Sequence, residues 1–203
     1  MRIAVYLAHP VPGSFNHALF DAVIDELRAM AVDVIAHDLY AEGFDPVLGA
    51  AETGTVAEAP VTDDLVRRHQ RELLELDALV FIHPNWWGMP PAILSGWIQR
   101  VLTPAVAYKL DSAAGTPSGL LRADRALILN TSDTTVEREQ TIFGDPLERI
   151  WTACVLPYIG VEDIRRTVFR TVTDSTPETR TRWLGEARAL ARDCASAHFT
   201  GGA

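Results

Sequence analysis

Ala78-Leu-Val-Phe-Ile82, then His83-Pro84-Asn85-Trp86-Trp87-Gly88-Met89-Pro90-Pro91, then Ala92-Ile-Leu-Ser-Gly-Trp-Ile-Gln-Arg-Val-Leu102, is the stretch that decides the fold. The first run is apolar without alternation, which marks a strand buried on both faces. The last has helical spacing, and proline suits its first turn because a helix leaves those N–H groups without partners anyway. The segment between them therefore lies where a buried strand ends and a helix begins. Open α/β sheets bind ligands at the carboxyl ends of their strands. Two adjacent tryptophans at that edge suit a flat ring. They would serve equally as core, since indoles bury a large area whatever they touch.

Working outward, four more apolar runs read as strands: Ile3 to Leu7, Val32 to Ala36, Ala126 to Asn130 and Ile164 to Phe169. Helical patterns separate them, over Phe15 to Met30, Asp63 to Leu76, Leu147 to Tyr158 and Glu178 to Ala197. Continuous apolar strands alternating with helices predict a parallel sheet covered on both faces. Five strands favour a three-layer, doubly wound sandwich of order 2-1-3-4-5 over a barrel, which needs eight βα units. The 203 residues are expected to form a single domain, 1–203, with 48% apolar and 22% charged residues arguing against disorder.

The net charge of −9 argues against nucleic acid or an anionic membrane surface as partner. No apolar stretch approaches membrane-spanning length, so no membrane insertion is expected. Met1-Arg2-Ile3 runs directly into a strand, so no leader is expected either. Cys154 and Cys194 lack close spacing to each other or to histidine and read as buried free thiols in a reducing cytoplasm. The long connections Ala41 to Thr62 and Pro104 to Gly119 read as excursions that cover a site or a partner. Gly115 to Gly119 would be a mobile tip, and Thr200 to Ala203 would fray.

Two further loops join the tryptophan segment at the same sheet edge. After the first strand comes Ala8-His9-Pro10-Val11-Pro12-Gly13-Ser14-Phe15-Asn16. Ser14 or Asn16 can cap the following helix, whose first-turn amides attract an anion such as phosphate. A plain capped helix would look the same. There is no GxGxxG and no GxxxxGK[ST], so neither a dinucleotide fingerprint nor a triphosphate loop is supported. After the fourth strand, Asn130-Thr131-Ser132-Asp133-Thr134 offers hydroxyls and amides for the polar edge of a ring, or forms an ordinary turn. Together the three loops describe a flavin nucleotide better than any one alone.

These segments, with Asp38-Leu39-Tyr40-Ala41, Phe44-Asp45-Pro46, Gln70, Pro91-Ala-Ile-Leu94, Gly96-Trp97, Ala107-Tyr108 and Phe143-Gly144-Asp145, resemble the NAD(P)H:quinone oxidoreductase family of flavodoxin-like flavoproteins. The likeness runs over residues 2 to 195 in order. It implies a flavodoxin-like fold, FAD or alternatively FMN as cofactor, NAD(P)H as reductant, a quinone or related acceptor, hydride transfer through flavin N5, and a homodimer. By that resemblance His9, Ser14, Phe15 and Asn16 hold the phosphate and ribityl portion. Asn85, Trp86, Trp87 and Gly88 flank the ring, with backbone amides reaching its N5 and O4 side. Thr131, Ser132, Asp133 and Thr134 hold the pyrimidine edge. Gln70 contacts the adenine half in FAD-containing members, and Ala107, Tyr108 and Lys109 form the substrate side. No residue is implied as nucleophile or acid-base catalyst, because the flavin carries the chemistry.

The chain departs from the pattern in places. The family loop Thr-Thr-Gly-Gly is here Thr131-Ser132-Asp133-Thr134, which removes two glycines and adds a charge. The tyrosine and histidine that follow it in mammalian-type members are absent, and Phe143 stands at the histidine's place. Their C-terminal domain is not expected, which aligns the chain with the shorter bacterial members. Trp97, Trp151 and Trp183 are expected in the core or at an interface, with Trp97 or Trp151 lending apolar area to a dimer. His17, His37, His69 and His198 show no spacing that suggests a metal. A non-catalytic flavodoxin-like electron carrier or regulatory subunit is the rival reading, and an azo- or nitro-reductase using the same site is another.

Overall fold

The computed structural model describes residues 1–53, 63–110 and 115–196. The five apolar runs form β1 (Arg2–Leu7), β2 (Asp33–Asp38), β3 (Ala78–Pro84), β6 (Arg125–Ser132) and β7 (Asp163–Arg170). They make one sheet in the order β2-β1-β3-β6-β7, with every pair parallel. That is the expected order of the five long strands. The sequence pattern marks no strand over 104–119; the structure has a short antiparallel pair there, β4 (Tyr108–Lys109) with β5 (Ser118–Gly119). Strands of two residues are too short to leave a periodic signal.

Sheet periodicity divides the core. Ala4, Tyr6, Leu79, Phe81, Ala126 and Ile128 face one side, where they meet α2 (Asp64–Leu73), α3 (Ala92–Val101) and the segment after β6. Ile3, Val5, Val80, Ile82, Leu127 and Leu129 face the other, packed on α1 (Phe15–Ala29) and α6 (Pro177–Ala195). β3 and β6 are buried at every position, as their continuous apolar character requires. The stretch expected as one helix over Leu147 to Tyr158 is α4 (Pro146–Arg149), a π-helical run (Ile150–Val155) and α5 (Leu156–Tyr158). Pro157 in that stretch has no N–H to give and crowds the carbonyl four residues before it.

Several expectations change here. Trp97 and Trp151 are fully buried, so neither lends area to a dimer surface. Each satisfies its indole N–H inside, Trp97 on His69 Nδ1 at 3.0 Å and Trp151 on His83 Nε2 at 3.1 Å. Cys194 is buried, with its thiol pushed up to about 12 by burial, but Cys154 is exposed. The described part of the first excursion covers α3: Pro46 lies against Gly96, and Arg100 donates to the Asp45 carbonyl at 2.6 Å and pairs with Glu52. Residues 54–62, His198 and the C-terminal Thr200 to Ala203 lie outside the described residues. Among the described residues, no helix is long and apolar enough to cross a membrane.

Candidate flavin-binding edge

The loop after β1 turns through Gly13 at φ +75° into α1. Ser14 stands at the N-cap but does not cap; its Oγ lies 2.9 Å from His17 Nδ1. Consequently the amides of Phe15, Asn16 and His17 donate to no acceptor among the described residues. They open a 15-residue helix, so its positive end is directed at whatever lies there. His9 accepts the Val11 amide on Nδ1 at 3.2 Å, which puts the ring proton on Nε2. Burial lowers its pKa, the Val11 carbonyl opposes that, and His17 adds to the lowering. His9 is thus a neutral N–H donor at pH 7. A hollow of about 220 Å³ opens here, bordered by His9, Ser14, Phe15, Asn16, Trp86, Thr131, Ser132 and Asp133.

The tryptophan loop is held from several directions. The Asn85 amide donates to the Thr131 carbonyl at 2.7 Å, extending the β3–β6 register by one residue. Trp86 and Met89 exchange two backbone hydrogen bonds, at 3.2 and 3.0 Å. Between them the chain passes through Trp87 at φ +57° and Gly88 at φ +74°. A left-handed tryptophan is a conformation that local preference disfavours. Gly88 cannot carry a side chain, since a Cβ would lie 2.5 Å from Pro146 Cγ. Trp87 is 96% exposed, an indole standing in solvent at the mouth of a second hollow of about 470 Å³. Asn85, Gly88, Thr134, Arg138, Glu139, Phe143 and Pro146 complete that hollow.

The third loop joins the two. Thr131 is buried, and its Oγ1 accepts Asn16 Nδ2 at 2.9 Å, tying β6 to α1. Ser132 Oγ accepts the Thr134 amide at 3.1 Å. Asp133 neither caps that turn nor stands unpartnered: its two oxygens accept the Thr173 amide at 2.7 Å and hydroxyl at 2.8 Å.

Of the residues expected at the cofactor, all but Gln70 border one hollow or the other. Gln70 belongs to α2 and donates its amide towards α3, to the Arg100 carbonyl at 3.3 Å and Thr103 Oγ1 at 3.2 Å. Ala107, Tyr108 and Lys109 border neither hollow; Ala107 is buried and Tyr108 packs edge-on to Tyr158. Val172, Arg138, Glu139 and Pro146 were missed. Val172 and Pro146 have no signature short of the fold, and Arg138 and Glu139 read as a solvated charge run. The fold also brings together His37, Glu42 and His69, which sequence spacing does not reveal. Trp97 donates to His69 Nδ1, so the His69 proton sits on Nε2, facing Glu42 at 3.3 Å. That nitrogen carries a proton turned towards a carboxylate, not a lone pair for a metal. Burial would raise the Glu42 pKa, but the hydrogen bond with His37 and the nearby His69 ring outweigh it and hold it at about 2.

A family profile described as flavodoxin-like fold matches residues 1–191. The human ribosyldihydronicotinamide dehydrogenase [quinone] is 30% identical over 168 residues, which span 74% of this chain and 72% of that protein. The chain belongs to the flavodoxin-like NAD(P)H:quinone oxidoreductase family. Another relative, the Cavia porcellus enzyme named NAD(P)H dehydrogenase [quinone] 1, is 28% identical over 204 residues, which span 90% of this chain and 73% of that protein. The NAD(P)H:quinone oxidoreductase of Methanothermobacter marburgensis superposes with a TM-score of 0.84 at 24% identity, covering 98% of each chain. An FMN-dependent NADH-azoreductase of Bacillus anthracis, solved in complex with FMN, superposes at 0.77 and 13% identity over 96% of this chain and 99% of that one. These two likenesses concern the fold.

Proposed function

We propose that this family member is a flavin-dependent NAD(P)H oxidoreductase acting on quinone-type acceptors, with the FMN moiety common to both flavins as the recognised part. The observation that carries the reading is the coincidence of uncommitted donors with an exposed ring at one sheet edge. The amides of Phe15, Asn16 and His17 await an anion beside one hollow, and the Trp87 amide and indole border the next. These residues fit a flavin, because a phosphate suits a helix N-terminus and a flat ring suits the aromatic wall. His9 Nε2–H adds a neutral donor to the phosphate side. The resemblance favours FAD, but the Gln70 amide is committed within the chain, to Arg100 and Thr103.

A bound flavin supplies two-electron hydride chemistry that no side chain of this protein offers. The chain's part is to bind, orient and exclude water. Trp87, Phe143 and Pro146 form an apolar wall over which a nicotinamide and then an acceptor can stack in turn. A homodimer is part of the proposal, supported by the apolar rim of Val11, Trp87, Met89, Ile142 and Phe143, each more than half exposed.

The test is to titrate apoprotein with FMN and FAD, sediment the loaded form, and follow NADH and NADPH oxidation with a quinone or an azo dye as acceptor. Stoichiometric flavin binding, a dimer and acceptor-dependent turnover are expected. Failure to bind either flavin overturns the reading, and turnover with the azo dye alone moves the acceptor class.

A further inference from the structure

Glu139 is the least explained residue beside the second hollow. It is 1% exposed, on a π-helical turn (Arg138–Ile142) whose neighbours face solvent. A carboxylate is buried only when partners offset its lost hydration. Arg170 of β7 supplies them, donating to Oε2 from Nε at 2.9 Å and Nη2 at 2.6 Å, and Arg166 Nη2 lies 3.7 Å from Oε1. The other side of the carboxylate receives the side-chain amide of Asn85.

That contact has a directional consequence. An asparagine amide presents an oxygen at one end and an NH₂ at the other, and only its surroundings decide which end points where. An ionised carboxylate accepts and never donates, so it draws the NH₂ towards itself. Asn85 Oδ1 is thereby turned to the loop, where it accepts the Gly88 amide at 3.0 Å. The amides of Asn85, Trp86 and Met89 are already taken by backbone carbonyls. Among residues 85–89 the Trp87 amide alone donates to no acceptor among the described residues.

We propose that Glu139, anchored by Arg170, is a positioning residue that acts through Asn85 to hold the Trp86–Met89 turn, leaving the backbone amide of Trp87 uncommitted for a ligand. The restraint belongs to the protein alone; its effect on flavin rests on the function proposed above. Glu139→Gln removes the charge that sets the amide's direction. A glutamine can donate to Asn85 as well as accept from it, so the oxygen no longer has to face Gly88. Asn85→Leu breaks the same chain without touching either arginine.

The experiment measures amide hydrogen exchange of Gly88 by NMR in apoprotein, and FMN affinity by fluorescence quenching. Glu139→Gln and Asn85→Leu are each expected to speed Gly88 exchange by about tenfold relative to the β3 amides, the equivalent of one net hydrogen bond. Each is also expected to weaken FMN binding by about the same factor. The double variant is expected to go no further than Asn85→Leu alone, since both break one path. Should Glu139→Gln not fold, Arg170→Gln, which loosens the carboxylate without removing it, carries the same expectation. A Glu139 that merely balances the charge of β7 would lower stability and leave Gly88 exchange and the coupling unchanged, and that result overturns the proposal. If wild type binds no flavin, the functional reading fails while the exchange result still decides the restraint.

Discussion

Asp133 shows what a single residue owes to its tertiary partner. From the sequence it either faced a ring or capped the next turn, whereas its carboxylate clamps Thr173 in the connection between β7 and α6. It still borders the smaller hollow, but it is exposed, and solvent screens its field there. Asp133→Ala is expected to lower stability by about 1 kcal/mol, the net worth of such hydrogen bonds. Asp133→Asn, which keeps one acceptor, should lose less than half of that. Urea unfolding checks both. A redox titration of flavin-loaded Asp133→Asn should leave the potential where wild type has it, and a clear rise would show that the carboxylate acts on the ring.

Among the elements, α3 carries the tryptophan loop at its start and the first excursion on its flank. Gly96 makes that docking possible: a Cβ there would lie 2.2 Å from the Pro46 carbonyl oxygen. Alanine in place of glycine favours a helix by about 1 kcal/mol. Overpacking against a fixed backbone costs about 1–3 kcal/mol, so the clash should win. Gly96→Ala is therefore expected to lower the denaturation midpoint. It should also release the 44–52 segment, because Arg100 meets Asp45 and Glu52 from the next turn of the same helix. Proteolysis within that segment, compared with wild type, checks the release; unchanged protection together with a raised midpoint would mean that the segment shifts without cost.

At the scale of the whole molecule, polar side chains link the strands under the edge that carries the two hollows. His83 of β3 donates from Nδ1 to the Pro84 carbonyl at 2.8 Å and accepts the Trp151 indole on Nε2. Asn130 of β6 lies beside it and accepts Arg166 of β7 at 2.6 Å. Burial pulls the His83 pKa down to about 4; the Pro84 carbonyl opposes this, and nearby Arg166 adds to the lowering. The folded protein therefore binds fewer protons than the unfolded chain between about pH 6.5 and pH 4. Stability should fall on acidification through that window, by up to about 1.4 kcal/mol per pH unit from this group. His69, lowered chiefly by burial, acts in the same direction. His83→Gln should flatten the dependence by as much as one proton, measured by urea unfolding from pH 7 to pH 4.5. An equal slope in variant and wild type would place the proton uptake elsewhere.

What the sequence by itself determined was whatever depends on neighbours along the chain. Continuous apolar runs such as Ala78 to Ile82 read as strands buried on both faces, and Pro90-Pro91 followed by helical spacing reads as a helix leaving one. A parallel sheet with three loops gathered at one edge follows from that alternation. What only the tertiary structure decided were pairings between residues far apart in sequence. Glu139 sits in a run that reads as solvated until Arg166 and Arg170 arrive beside it from β7. Trp97 and Trp151 could not be told from interface residues until their indoles met His69 and His83 inside. Gln70 matches a family position, yet Arg100 and Thr103 engage its amide. The physical reason is common to all three. Periodicity records which face of an element is apolar, whereas the partner of a buried charge or amide is set by which elements the fold packs together.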